Sequence, residues 1–251
     1  MPRNLWILNS VSWILSHVNW LSECAAVIPC LNEEATIGSL VSGVRRYVST
    51  VFVVDDGSSD NTAAIAQRAG AEILRHDCSA GKGAALQTGW QCAFERGFRW
   101  ALALDGDGQH SPEDIPTFFR CAEKEQAHLV VGNRMDQASQ MPFVRRFVNR
   151  WMSKRISKIL HQPLPDTQCG FRLMNLQTWR QLPIHSTHFE IESEVLLAFI
   201  LAGYHVAFAP IRVIYKKEQS KIHPARDTLR WLRWWRGARN SSSARSQFGS
   251  H

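Results

Sequence analysis

Residues 24–56 read CAAVIPCLNEEATIGSLVSGVRRYVSTVFVVDD. An apolar run, AAVIPCL (25–31), is followed by an amphipathic segment near 33–48 and a second apolar run, VFVVDD (51–56). Two short apolar runs joined by a helix-length segment mark a βαβ unit, whose parallel strands are buried on both faces. The rhythm continues: EILRH (72–76), WALALDGD (100–107) and LVVGNRM (129–135) read as strands, with helices expected near 60–70, 81–97 and 113–126. The last of these has a start signal, with Ser111 placed to cap the first amides, Pro112 in the first turn, and Glu113 and Asp114 at the positive end of the dipole. The expected fold is α/β: a Rossmann-like, mostly parallel central sheet flanked by helices, in a single domain with peripheral amphipathic helices.

Past residue 140 the rhythm changes. A basic helix (143–160) leads to a turn with Pro163 and Pro165, then the block DTQCGFRLMN (166–175). A helix near 189–203, a strand VAFAPIRVIY (206–215) and a Trp- and Arg-rich helix near 223–236 follow. The expected division is an N-terminal amphipathic segment (1–23), a main domain (24–222), a basic, Trp-rich helix (223–239) and a polar, disordered tail (240–251).

At 251 residues the chain can bury one sizeable core, and 45% hydrophobic with 20% charged residues excludes bulk disorder and a polytopic membrane protein. A net charge of +7 suits an anionic partner: a phosphate, a nucleic acid or an acidic membrane face. The six cysteines form no CxxC pair and no paired spacing with histidines, which argues against a zinc site or a disulfide framework and reads as reduced cytosolic thiols. The opening stretch imitates a signal peptide, but Asn9, Ser10, Ser12, Ser16, His17 and Asn19 break its apolar run. Trp6, Trp13 and Trp20 recur on one side of a helix, which either docks on the core or anchors at a membrane interface.

Acid or amide groups stand at three strand ends: Asn32, Glu33 and Glu34; Asp55 and Asp56; Asp105 and Asp107. Any one of these could be a loop carboxylate or a helix cap; three in register form a pocket, because open α/β sheets bind ligands outside the carboxyl ends of their strands. Asp105, Asp107 and Gln109 offer hard oxygen ligands suited to Mg2+ or Mn2+, with Gly106 and Gly108 letting a ligand approach. Such a metal would bridge two phosphates and stabilise a departing nucleoside diphosphate. SAGKGAAL (79–86) is not a Walker motif, yet Lys82 at a helix start can meet a phosphate, or stand as a surface lysine. No GxGxxG is present, which weighs against a dinucleotide oxidoreductase.

Five blocks, VIPCLNEEATI, VVDDGSSDNT, LDGDGQHSPEDI, DTQCGFRLMN and QSKIHPARD, together resemble in order and spacing the family 2 inverting glycosyltransferases of GT-A fold. Within that family the branch looks like the polyprenyl-phosphate and dolichyl-phosphate mannosyl- and glucosyltransferases, and the likeness covers about residues 24 to 236. It implies metal-dependent transfer of mannose or glucose from a GDP- or UDP-sugar to a polyprenyl phosphate. It also implies a nucleotide-sugar pocket of Pro29, Leu31, Glu33 and Asp55, with Asp55 on the base, Gly106 beside the diphosphate, and Asp105, Asp107 and Gln109 on the metal. Arg134 then lies near the phosphates of donor and acceptor, with Arg146 and Lys221 in basic blocks at the acceptor site. Leu31 stands where an aromatic residue is common, so stacking on the nucleobase is not expected. The branch often carries C-terminal transmembrane helices; these 251 residues contain no apolar run of 18.

A lipid phosphate is anionic at neutral pH and needs positioning and screening rather than a general base, so arginines can replace one. Asp166 is where a base would be sought for a hydroxyl acceptor; its alternative role is bonding the turn backbone after Pro165. On a helical wheel Arg226, Arg230, Arg233 and Arg236 oppose Trp231, Leu232, Trp234 and Trp235, a pattern that suits a lipid headgroup boundary or a helix packed on the domain. The expected location is the cytoplasm, peripheral on the cytoplasmic face of a membrane. Competing readings are transfer to a saccharide or protein hydroxyl, and a non-catalytic module binding anionic lipid or nucleic acid. No nucleic-acid partner is expected, since no helix-turn-helix, zinc or aromatic-sheet motif occurs.

Overall fold

The computed structural model describes residues 18–135, 143–214 and 228–237. Lys221, Trp6, Trp13, Arg226 and the tail from 240 lie outside the described residues. Seven strands form one sheet: β1 (Cys24–Cys30), β2 (Thr50–Asp55), β3 (Glu72–Arg75), β4 (Trp100–Ala103), β5 (Leu129–Asn133), β6 (Arg172–Asn175) and β7 (Val206–Pro210). Their order is β3-β2-β1-β4-β6-β5-β7. Only β6 runs antiparallel to its neighbours, pairing with β4 and β5. The expected single-domain α/β fold with a mostly parallel sheet is what the chain adopts.

The helices are α1 (Trp20–Glu23), α2 (Ile37–Val44), α3 (Thr62–Arg68), α4 (Lys82–Glu95), α5 (Ile115–Glu125), α6 (Phe143–Leu160), α7 (Leu176–Arg180), α8 (Ile191–Leu201) and α9 (228–237). Strands β1, β2, β4 and β5 are almost wholly buried, as continuous apolar runs covered on both faces must be. Helix α4 lies close on the sheet because Gly89 has no side chain: a Cβ there would sit 2.3 Å from Val27 Cγ1.

Three expectations need correction. Strand β6 and helix α7 were not foreseen; the block 166–175, which holds β6, was read without regular structure. Ser111 makes no side-chain cap. Pro112–Asp114 instead form a 3-10 turn in which the Asp114 amide bonds the Ser111 carbonyl at 3.1 Å, while Asp114 accepts from the amide and Nε of Arg212. The tryptophan face of α9 does not look outward. Trp231 and Trp235 are buried, Trp231 stacks on Trp235 and lies against Trp151 of α6, and its indole donates to Ser193 Oγ of α8 at 2.9 Å. Helix α9 is thus packed on the domain, with Arg233 and Arg236 exposed. Trp20 is docked too, stacked on Phe119 with its indole nitrogen 2.7 Å from Glu123. All six cysteines are free.

Candidate active site

The carboxyl ends of β1, β2 and β4 open on one rim of the sheet, and because β6 is antiparallel the segment that precedes it, 166–171, reaches the same rim. Pro29 and Asp55 are carried there by neighbouring strands, Cys30 lying opposite Asp55. The Asp55 side chain is fully buried; its Oδ1 accepts from the Ser58 amide at 2.9 Å, while Oδ2 lies 3.4 Å from Arg75 Nε and has no hydrogen-bond partner. A buried carboxylate oxygen without a hydrogen-bond donor is costly. Leu31 is exposed at the rim and Glu33 half-buried.

Asp56 has a different task from Asp55. It accepts from Ser79 Oγ (2.7 Å), the amides of Ala80 and Gly81 (2.9 Å each) and meets His76 Nδ1 at 2.7 Å. Burial opposes its ionisation, but these bonds outweigh it and hold the carboxyl below its usual range. The loop so fixed ends at Gly81, whose positive φ a side chain would strain and whose Cβ would strike the Thr187 carbonyl. Lys82 therefore starts α4 in a set position.

From there Lys82 Nζ reaches Asp105 Oδ1 at 2.6 Å and Glu192 Oε1 at 2.5 Å. Against the penalty of burial, the two carboxylates raise its affinity for the proton. It is a buried ammonium in a carboxylate cluster, not the surface lysine that was the alternative. Burial also opposes the charge on Asp105, yet Lys82, His110 and Arg134 hold it ionised well below the usual range. Asp107 is pushed the other way, by burial and then by the charge on Asp105. Its Oδ1 accepts from the Gln109 amide at 3.0 Å. Thr36 Oγ1 holds the Gly106 carbonyl at 2.7 Å, and a Cβ on Gly106 would come within 2.6 Å of Cys30 Sγ. His110 is buried against Phe171 with Nδ1 unbonded, and burial lowers its proton affinity.

Arg134, at the end of β5, is buried and paired with Asp166: Nε to Oδ2 at 2.7 Å and Nη2 to Oδ1 at 2.9 Å. Asp166 also accepts the Gln168 amide, the turn-bonding alternative foreseen for it. Arg146 lies on α6 with its guanidinium 5.7 Å from the Phe143 ring centroid.

Sequence reading missed Glu192 and Gly170. A Cβ at Gly170 would meet both Asp105 carboxylate oxygens at 2.6–2.7 Å, so its backbone walls that side chain. Glu192 sat in IESEVLLAF (191–199), where one acid among apolar residues on a buried face was the available signal.

An acidic rim holding a lysine and a buried arginine stands outside the carboxyl ends of parallel strands, where open α/β sheets bind their ligands. The sequence profile of glycosyl transferase family 2 matches residues 25–180, and the chain belongs to that family. It is a glycosyltransferase. It is 26% identical over 212 residues to the UDP-N-acetylglucosamine–dolichyl-phosphate N-acetylglucosaminyltransferase of Methanococcus voltae, covering 75% of this chain and 84% of that one. It is 27% identical over 205 residues to the undecaprenyl-phosphate mannosyltransferase of Micrococcus luteus (76% and 83% covered). Glucosyl-3-phosphoglycerate synthase of Mycobacterium tuberculosis, solved with Mg2+ and UDP, shares the fold with a TM-score of 0.64 at 20% identity, over 87% of this chain and 78% of that one.

Proposed function

We propose that the enzyme transfers a hexose from a nucleoside diphosphate sugar to a polyprenyl-type lipid phosphate, with inversion and with a hard divalent cation. The observation that carries the acceptor is the engagement of Asp166. Both its oxygens are taken by Arg134 and a turn amide, so the carboxylate that a hydroxyl acceptor would need as base is already committed. An acceptor that arrives ionised needs none. The relatives named for dolichyl- and undecaprenyl-phosphate transfer support the same choice.

Asp105 and Asp107 fit Mg2+ or Mn2+. Burial and then the charge on Asp105 make ionisation of Asp107 unfavourable, a penalty that a divalent cation held by the two carboxylates would relieve. Asp105, Asp107 and Gln109 would hold the ion through hard oxygen donors. When bound, the ion offsets negative charge on the leaving diphosphate. Asp55 accepts a base N–H through Oδ2, which has Arg75 at 3.4 Å but no hydrogen-bond donor, and Pro29, Leu31 and Glu33 line the nucleotide's path. Gly106, held by Thr36, keeps the rim narrow beside the diphosphate. Lys82, at the start of α4, stands beside the phosphates with its ammonium held by Asp105 and Glu192. Arg134, fixed by Asp166, orients the acceptor phosphate with Nη1, which makes no hydrogen bond to a described residue.

None of the described helices is long and apolar enough to cross a membrane. Contact with a membrane is assigned to the outer stripe of α6, where Phe143 (72% exposed) and Phe147 (63%) stand in line with exposed Arg150 and Lys154, and Arg146 lies beside them. Lys221, in the basic block QSKIHPARD, supplies a further acceptor-side cation. The test is incubation with radiolabelled GDP- and UDP-hexoses, polyprenyl phosphate and Mn2+, then organic extraction. Label in the organic phase, abolished by EDTA, is expected; label appearing only in a water-soluble saccharide or protein overturns the lipid acceptor.

A further inference from the structure

Lys82 occupies the place where a cation is wanted. Its ammonium lies 2.6 Å from Asp105 Oδ1, with a side chain only 14% exposed, and its second carboxylate is Glu192, 6% exposed, at 2.5 Å. Glu192 is itself immobilised: its helix start is buried, and its backbone carbonyl accepts from Arg172 Nη1 at 2.5 Å. Asp105 cannot swing away, because Gly170 closes its far side. The ammonium is thus shared between a carboxylate at the donor rim and one that belongs to the fold.

We infer that Lys82 is the resident counter-ion of Asp105 in the donor-free enzyme, and that Glu192 is a positioning residue that retains the ammonium when Asp105 takes a divalent cation. This rests on the reading of Asp105 and Asp107 as metal ligands. Without Lys82, Asp105 would stand uncompensated; with Lys82 but without Glu192, the ammonium would have Asp105 as its sole carboxylate partner and compete with the metal more strongly. Glu192 acts on the metal only through Lys82, so its effect disappears when Lys82 is removed.

The experiment is titration of the full chain with Mn2+ alone, followed by electron paramagnetic resonance of the free ion, and repeated with UDP or GDP present. Lys82→Met is expected to bind Mn2+ about tenfold more tightly than the unaltered protein, and Glu192→Gln about fivefold more weakly. The double variant, which leaves no buried charge of that pair unmatched, is expected within about twofold of Lys82→Met, because the two changes are coupled. A double variant only about twofold tighter than the unaltered protein, the product of the two single effects, shows two independent charges in a common field and overturns the inference. So does Lys82→Met binding no tighter than the unaltered protein. Absence of Mn2+ binding in every variant, with nucleotide present, overturns the metal reading itself and this inference with it; Mn2+ binding that ignores both substitutions overturns this inference alone.

Discussion

Arg134 and Asp166 meet through two parallel hydrogen bonds of 2.7 and 2.9 Å, both side chains being almost or fully buried. The pair joins the end of β5 to the turn that leads into β6, so it sets the distance between two walls of the site. Bidentate geometry gives it orientation as well as charge.

Burial by itself would raise the Asp166 carboxyl, but the charge and hydrogen bonds of Arg134 outweigh it and hold it below the usual range. A depressed folded value means that the pair's stabilisation is fully present above the unfolded pKa, about 3.9, and is lost as pH falls through the folded value. Asp166→Asn strands a buried guanidinium and is expected to cost about 3 kcal/mol or more. Thermal melts between pH 7 and pH 2 check both points: the variant should melt lower at neutral pH and lose less on acidification. Equal melting at pH 7 would leave the pair without a structural role.

Asp107→Asn is expected to lower transfer at least about a hundredfold while leaving the melting temperature unchanged or raised. The absence of a fall in melting temperature follows from burial and then from the charge on Asp105, which together make the Asp107 anion unfavourable. Near-normal transfer at saturating Mn2+ would remove Asp107 from the metal.

Removing α9 is expected to damage the enzyme rather than merely detach it. Ser193 Oγ accepts from Trp231 and also from Gln168 Nε2 at 2.6 Å, so α9 braces the turn that carries Asp166. Trp231→Ala should cost about 3–5 kcal/mol and lower hydrolysis of the sugar nucleotide together with lipid transfer. Circular dichroism melts and a hydrolysis assay decide; unaltered stability would free the indoles for a lipid interface.

The membrane contact proposed for the outer face of α6 is open to a direct test. Phe143→Ser with Phe147→Ser should reduce sedimentation with anionic vesicles about tenfold or more, given roughly 1.5–3 kcal/mol for each buried aromatic side chain. Sugar-nucleotide hydrolysis serves as the internal control. Vesicle binding equal to that of the unaltered chain would exclude this face.

The βαβ frame was legible because buried parallel strands write themselves as apolar runs: AAVIPCL and VFVVDD became β1 and β2 within a residue. The acidic rim followed from the same strands, since Asp55 and Asp105 stand at or just past their ends. What periodicity could not show were partners brought together from afar. RLMN is too short to announce a strand, and its antiparallel place between β4 and β5 exists only in the sheet. Glu192 carries no local mark of its meeting with Lys82. The tryptophans of α9 have one pattern on a helical wheel whether they face lipid or Trp151; the fold alone chose the second.

The reversal of β6 also imposes an order of construction. Pairing of β1 with β2 links nearby segments through a single helix, whereas β1 meets β4, and β4 meets β6, only by joining residues as distant as Cys24 and Trp100 or Trp100 and Asn175. Distant pairing forms later, because the intervening chain must be closed before its contacts repay the entropy. A chain synthesised from its N-terminus at about 5–20 residues per second therefore presents Asp55, Asp105 and Asp107 for seconds before Gly170 and Glu192 exist to enclose them. The newborn enzyme has its acidic rim first, and its wall and its counter-ion's anchor afterwards.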